Sequence, residues 1–168
     1  MKKITLPKAS VLTSPNPVTV VCTQKPDGSV NLATVSWWTY LSYNPSMIAY
    51  AMAKTSYSGE TVRNNKKVIL TVPGAEIADA VLGCGSATGR NTDKVSKFNI
   101  ELAEVEGCSI KIPVHSRVAI VCSLKEYHEV GDHYLYICDV GQVYGDESEE
   151  ALFAWNGYSQ LRPAKEGL

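Results

Sequence analysis

The chain has 168 residues, a mass of 18.3 kDa and a formal net charge of −1 from 16 basic and 17 acidic side chains. With 45% hydrophobic and 20% charged residues it has the balance of a globular protein, which excludes intrinsic disorder. A pI near 6.3 excludes both a basic surface built for nucleic acid and an acidic solvating tail.

This length predicts one domain over 1–168. Met1 to Lys8 begins basic like a signal peptide, but Pro7, Lys8, Ser14 and Pro15 interrupt any apolar stretch behind it. No segment approaches the roughly 18 apolar residues of a membrane helix. The expectation is a soluble, cytoplasmic protein with no membrane or nucleic-acid partner.

Strand signals come first. Pro17 to Gln24 is rich in Val and Thr and ends in the turn Pro26-Asp27-Gly28-Ser29; Val30 to Trp38 follows at once, so the two predict a β-hairpin. Asn44-Pro45 marks a second turn. Met47 to Met52 is apolar on both faces and predicts a strand inside its sheet. Ser58 to Asn65 reads as a short helix with Ser58 as N-cap. Val68 to Val72 is a fourth strand, stopped by Pro73-Gly74. Ala75 to Leu82 has helical spacing, and Gly83, Gly85 and Gly89 then predict a mobile surface loop. Lys94 to Phe98 suits one helical turn, and Ser109 to Ile112 a strand. Arg117 to Val130 and His133 to Tyr144, split by Gly131-Asp132, predict a long antiparallel hairpin. Glu147 to Phe153 reads as a short amphipathic helix. The sum is an all-β protein with minor helices: six or seven antiparallel strands in a barrel with two or three short helices.

The five cysteines, an odd number with no Cys-x-x-Cys, argue against a disulfide framework, and the three histidines lack zinc-ligand spacing. Cys22, Cys122 and Cys138 lie in strand-like runs and read as small core residues. No nucleophile elbow or phosphate loop is present. Gly83-Cys84-Gly85-Ser86-Ala87-Thr88-Gly89 misses the dinucleotide fingerprint by one residue and follows a helical segment instead of a strand. No side chain is assigned a catalytic role and no metal is expected.

Two segments offer binding chemistry. Asn31 to Trp38 carries small and polar residues before paired tryptophans, which suits close approach of a planar ligand to the backbone. Lys54 to Thr61 gathers hydroxyls and a lysine at the start of a helix, where free amides and the dipole favour an anion such as a phosphate. Together they describe a site for a mononucleotide such as a flavin.

Pro15 to Thr23, Asn31 to Trp38, Asn44-Pro45, Lys54-Thr55-Ser56 and Thr61, taken in order, resemble the flavin reductase-like family of FMN-binding split-barrel proteins, which includes the flavoredoxins. Gly89-Arg90-Asn91-Thr92-Asp93-Lys94 with Phe98, and Gly131-Asp132-His133, are similar to two further elements of that family, so that the resemblance covers about 14–145 and implies a core there with a C-terminal extension at 146–168. The chain departs from it at Asn44-Pro45, where many relatives carry two prolines, and in the three residues between Lys94 and Phe98. The resemblance implies an FMN ring along Asn31 to Trp37, with the backbone of Ala33, Thr34, Val35 and Ser36 at its polar edge, Asn31 or Thr34 on the ribityl chain or pyrimidine oxygens, and Trp37 beside it. It implies a phosphate held by Lys54, Ser56, Ser58 and Thr61. It places Arg90, Asp93 and Lys94 on a loop over the ring, closing on a nicotinamide donor or on the partner subunit's flavin. His133 faces the site or serves the core or an interface. Implied too are a homodimer and NAD(P)H as electron donor, with a flavin, a metal complex or a redox protein as acceptor. A flavoredoxin-type carrier with no NAD(P)H oxidation of its own, and a barrel that has lost its cofactor, are the alternatives.

Overall fold

The computed structural model describes residues 2–164; Met1 and the last four positions of the 146–168 extension lie outside the described residues. The chain opens on α1 (Leu6–Leu12), which the sequence pattern does not predict. Thr5 caps it by accepting from the Lys8 N–H, Pro7 sits in its first turn, and none of its residues is buried, so no apolar stripe announces it. There follow β1 (Asn16–Pro17), β2 (Thr19–Gln24), β3 (Val30–Val35), β4 (Trp38–Tyr43), β5 (Ser46–Ala53), α2 (Tyr57–Asn65) and β6 (Lys67–Pro73). After a 3-10 turn at Ala75–Ile77 come α3 (Ala78–Ser86), α4 (Lys94–Lys97), β7 (Leu102–Ala103) and β8 (Ile112–Pro113). The long strands β9 (Ser116–Val130) and β10 (His133–Gly145) precede β11 (Leu152–Trp155) and β12 (Gln160–Pro163).

Seven strands form one antiparallel sheet in the order β3-β2-β6-β9-β10-β5-β4. Its middle strands are apolar on both faces because the sheet is buried on both. Along β2, Val20 and Cys22 join one core cluster while Val21 joins another; along β6, Ile69 takes the first side, Val68 and Leu70 the second. The first cluster lies beneath α3 and α4 and holds Val81, Cys84 and Ile100. The second is the barrel interior, plugged by Val62 of α2 and built around the stacked rings of Tyr50 and Tyr136, 5.0 Å apart. Cys22, Cys122 and Cys138 are buried as expected. Burial pushes the Cys138 thiol up to about 12. The fold is the split barrel, all-β with four short α-helices. No helix among the described residues is long and apolar enough to cross a membrane.

The sheet closes only in part. β3 ends at Val35, Ser36 and Trp37 turn a corner, and the chain re-enters the sheet at its other edge as β4; the Ala51 N–H donates to the Trp37 carbonyl at 2.8 Å across this corner. The single strand expected to Trp38 is therefore two, and β4, rich in exposed polar and aromatic positions, has no apolar alternation to predict it. β5 lies inside the sheet as expected, between β10 and β4.

Four further expectations change. The N-cap of α2 is Ser56, whose Oγ accepts from the Gly59 N–H at 3.2 Å, and not Ser58, which lies one turn in. The helix α3 runs through Gly83 and Gly85 to Ser86 instead of giving way to a loop, because a side chain at Gly83 would meet the Phe98 ring: the glycine is there for close packing and not for mobility. Within 109–112 only Ile112 is in a strand, a two-residue pairing with β7. Glu147 to Phe153 is not a helix. Asp146 accepts from the Ser148 N–H at 2.9 Å to form a turn, the Arg117 guanidinium takes the carbonyls of Glu147 and Glu149, and Leu152 and Ala154 alternate into the first core cluster as β11 pairs with β1 and β12.

Candidate functional site

The corner between β3 and β4 opens a cleft of about 790 Å³. One side of it is the strand run Ala33 to Trp37, and the facing side is Ala51, Met52 and Ala53 at the end of β5. Small side chains at Ala33, Ser36, Ala51 and Ala53 leave the backbone accessible. A cleft of this volume lies within the roughly 300–1,000 Å³ range of small-molecule sites.

At one end, Thr55, Ser56, Tyr57 and Ser58 line the cleft where α2 begins. The first-turn N–H groups of a helix have no intrahelical partner, and the positive end of its dipole faces out with them. Ser56 caps the helix with its lone pair, so its hydroxyl hydrogen, which meets only the Met52 sulfur at 3.8 Å, is free to donate elsewhere. The buried Ser58 hydroxyl accepts from Asn31 Nδ2 at 2.7 Å, while Asn31 Oδ1 is buried without a partner. Gly89 sits directly against that oxygen, and any Cβ there would collide with it.

Cys84, the C-terminal turn of α3 and Lys94 line the cleft as well. Asp93 caps α4 by accepting from the Ser96 N–H at 3.2 Å, and its hydrogen bonds with Ser96 hold its carboxyl below the usual range. That cap turns Lys94 inward. Its ammonium donates to the Leu32 carbonyl at 2.7 Å and the Cys84 carbonyl at 2.8 Å, tying β3 to α3. Burial holds this lysine below its ordinary pKa and pushes the neighbouring Cys84 thiol up to about 11.

Of the thirteen residues singled out from the sequence, the structure gathers Ala33, Thr34, Val35, Ser36, Trp37, Ser56, Ser58 and Lys94 around the cleft. The other five do not line it. Asn31 lies beneath Ser58 and reaches the cleft only through it. Thr61 donates its hydroxyl to the Tyr57 carbonyl inside α2. Lys54 pairs with Glu129 and leans over the Tyr134 ring. Arg90 pairs with Glu60 and stacks on Tyr57, so it braces the α2 end from outside. Asp93 is the cap just described. Thr34 lines the cleft, but its hydroxyl is engaged with the Val81 carbonyl.

His133 lines the mouth, its ring 4.9 Å from that of Trp37 and its Nδ1 2.7 Å from the Asp132 carboxylate. That contact holds Asp132 below the usual carboxylate range. Sequence reasoning missed the outer wall. Ser10 and Thr13 of α1, Asn16, Gly157 and Tyr158 all border the cleft. They come from the two ends of the chain, joined by the β1–β11 pairing, and no local motif marks them. Among the described residues no group of three or more metal-binding side chains converges.

The family model of the flavin reductase like domain matches residues 11–162. A flavin reductase of Pseudomonas putida is 28% identical over 145 residues, 85% of this chain and 81% of that one. A match in Archaeoglobus fulgidus takes in 66% of that protein's length. Among solved structures, the flavoredoxin of Methanosarcina acetivorans superposes with a TM-score of 0.84 at 18% identity, over 100% of this chain and 94% of that one. An FMN-binding protein of Thermus thermophilus, solved with 1-cyclohex-2-enone bound, gives 0.82 at 22% identity, over 100% and 97%.

Proposed function

The chain belongs to the flavin reductase-like domain family, and from that premise we propose that it is an FMN-binding oxidoreductase, passing electrons from NAD(P)H through bound FMN to a flavin, metal complex or protein acceptor. The observation that carries the reading is a single cleft with an anion-ready helix terminus at one end and the accessible backbone of Ala33 to Ser36 along its side. The residues present fit the cofactor. Free amides, Thr55 and Ser56 at the start of α2 suit one phosphate, and the small side chains opposite leave room for a flat ring.

When bound, the flavin supplies the redox chemistry, taking up electrons and returning them singly or in pairs. The chain's own work is to hold and orient. Ser56 donates to the phosphate while its lone pair keeps α2 capped. The backbone of β3 offers its polar groups to the ring edge, and Trp37 with His133 forms one side of the mouth. No side chain needs to move a proton for this role.

The apolar surface beside the cleft supports a homodimer. Trp37, Tyr40, Leu41 and Tyr43 are exposed along the sheet edge formed by β4, Tyr43 to 89%. Such a patch on an unpaired edge strand favours burial against a second copy. Light scattering is expected to give about twice 18.3 kDa, and a mass equal to one chain contradicts the dimer.

The purified protein is expected to be yellow and to release FMN, not FAD, on extraction. Recovery of FAD alone, or no binding after FMN is added, overturns the reading. Anaerobic NADH or NADPH is expected to bleach the bound flavin. If neither does, while a reduced redox protein does, the flavoredoxin-type carrier function replaces the reductase.

A further inference from the structure

Twenty-six of the described residues border the cleft, and Lys94 is the only Lys, Arg, Asp or Glu among them. It is 3% exposed and takes part in no ion pair among the described residues. Its two protein partners are the neutral carbonyls of Leu32 and Cys84. The carboxylate next to it in sequence, Asp93, is turned outward to cap α4. An ammonium has three donors, so one N–H remains for whatever lies in the cleft. Burying an uncompensated charge is costly, and two carbonyls of β3 and α3 could be tied as well by a neutral amide. The charge itself is therefore what needs explaining.

We propose that Lys94 is a positioning residue acting electrostatically: its fixed positive charge in the wall of the cleft, bonded to the Leu32 carbonyl beside the Ala33 to Ser36 run, favours the reduced, more electron-rich form of the bound ring over the oxidised form, and so raises the reduction potential of the flavin. This rests on the reading of the cleft as the FMN site. A charge a few ångströms from a ring in a dry cleft interacts far more strongly than in water, and a protein tunes a flavin through charges near its ring nitrogens. Burial depresses the lysine's own proton affinity, and added negative charge in the cleft draws the proton back onto it, in the same direction.

The test is the midpoint potential of the FMN-loaded protein, with the binding of oxidised and of dithionite-reduced FMN measured separately. Lys94→Gln keeps N–H donors for the Leu32 and Cys84 carbonyls but removes the charge. It is expected to weaken binding of reduced FMN about tenfold more than that of oxidised FMN, which for two electrons lowers the potential by about 30 mV. Lys94→Arg, which keeps the charge, is expected to keep the potential. Cys84→Asp leaves Lys94 in place and sets a carboxylate against it, so the potential is expected to fall in that variant also; it carries the test if Lys94→Gln does not fold. Potentials unmoved in the folded variants, or equal weakening of both forms, reduce Lys94 to a tie between β3 and α3 and overturn the proposal. Failure of the parent protein to bind FMN overturns the functional reading along with it, whereas flavin bound at an unmoved potential overturns this proposal alone.

Discussion

At one end of the cleft, α2 presents hydroxyls and free amides that are neutral and reachable from solvent. Elsewhere in the same cleft, Lys94 brings a full charge that is 3% exposed and faces no counter-ion among the described residues. The first end recognises by geometry: donors fixed by a capped helix meet an anion that brings its own charge. On the reading proposed above, the second supplies charge to a ring that is neutral when oxidised. The two are joined by one side chain, Asn31, which donates to Ser58 at the α2 end and precedes Leu32, whose carbonyl holds Lys94. The two therefore answer to different perturbations and can be separated.

The largest effect is expected at the join. A methyl group at Gly89 would collide with Asn31 Oδ1, which is buried and has no room to give. Gly89→Ala is expected to cost about 1–3 kcal/mol in urea unfolding, in line with overpacked cores, and to weaken FMN and riboflavin alike, since both regions shift. Unchanged stability would mean that the two regions are not mechanically coupled through Asn31.

Next comes the phosphate end alone. Ser56→Ala removes a helix cap, worth about 1 kcal/mol of stability, and a charge-assisted hydrogen bond to the phosphate, so FMN binding is expected to weaken roughly ten- to a hundredfold. Riboflavin, which lacks the phosphate, is expected to bind as before. Fluorescence titration with both ligands checks this; equal loss of both places the phosphate elsewhere.

Two residues that the family resemblance assigns to the same grip are expected to respond far less. Thr61→Ala deletes a hydroxyl that already serves the Tyr57 carbonyl, so FMN affinity is expected to change by less than about twofold. Lys54→Ala removes a lysine paired with Glu129 outside the cleft, and any weakening of FMN binding is expected to be long-range and to vanish at high salt. A tenfold loss in either variant would extend the phosphate end beyond the residues that line the cleft.

The smallest effect isolates the charged side chain through pH. Lys94 has a folded pKa below its ordinary 10.5, so at pH values approaching that figure the unfolded chain binds a proton that the native one lacks. Stability therefore gains from this group as pH rises toward 10.5. The buried thiols act in the opposite sense, since they ionise more easily when unfolded. The difference in unfolding free energy between the parent and Lys94→Gln removes the thiols' contribution, and it is expected to shift in the parent's favour with rising pH. A difference that is flat with pH would mean that Lys94 is solvated.

The sheet was legible in the sequence because its information is local. Val-rich runs, the turn at Pro26 to Ser29 and the Gly131-Asp132 break mark β2, β3, β5, β6, β9 and β10 without reference to anything distant. The anion-ready start of α2 was legible for the same reason, apart from the shift of the cap from Ser58 to Ser56. What was not legible depends on distant partners. α3 continues through Gly83, which packs against Phe98, and Gly85, which packs against Thr34, and 147–149 turns between Asp146 and the Arg117 guanidinium instead of forming a helix. The outer wall of the cleft exists only because β1 pairs with β11 across nearly the whole chain.

The amino-acid sequence by itself determined most of the strands, the β2–β3 and β9–β10 hairpins and the cluster of hydroxyls at one helix start, since each follows from period, turn chemistry and capping within a few residues. Tertiary structure alone decided which of the candidate site residues face the cleft. Lys54 found Glu129 and Lys94 reached the carbonyls of Leu32 and Cys84, whereas Thr61 turned its hydroxyl back into its own helix, a local contact. A polar side chain's role is set by which partner reaches it first, and for most of these residues that partner lies outside the local segment.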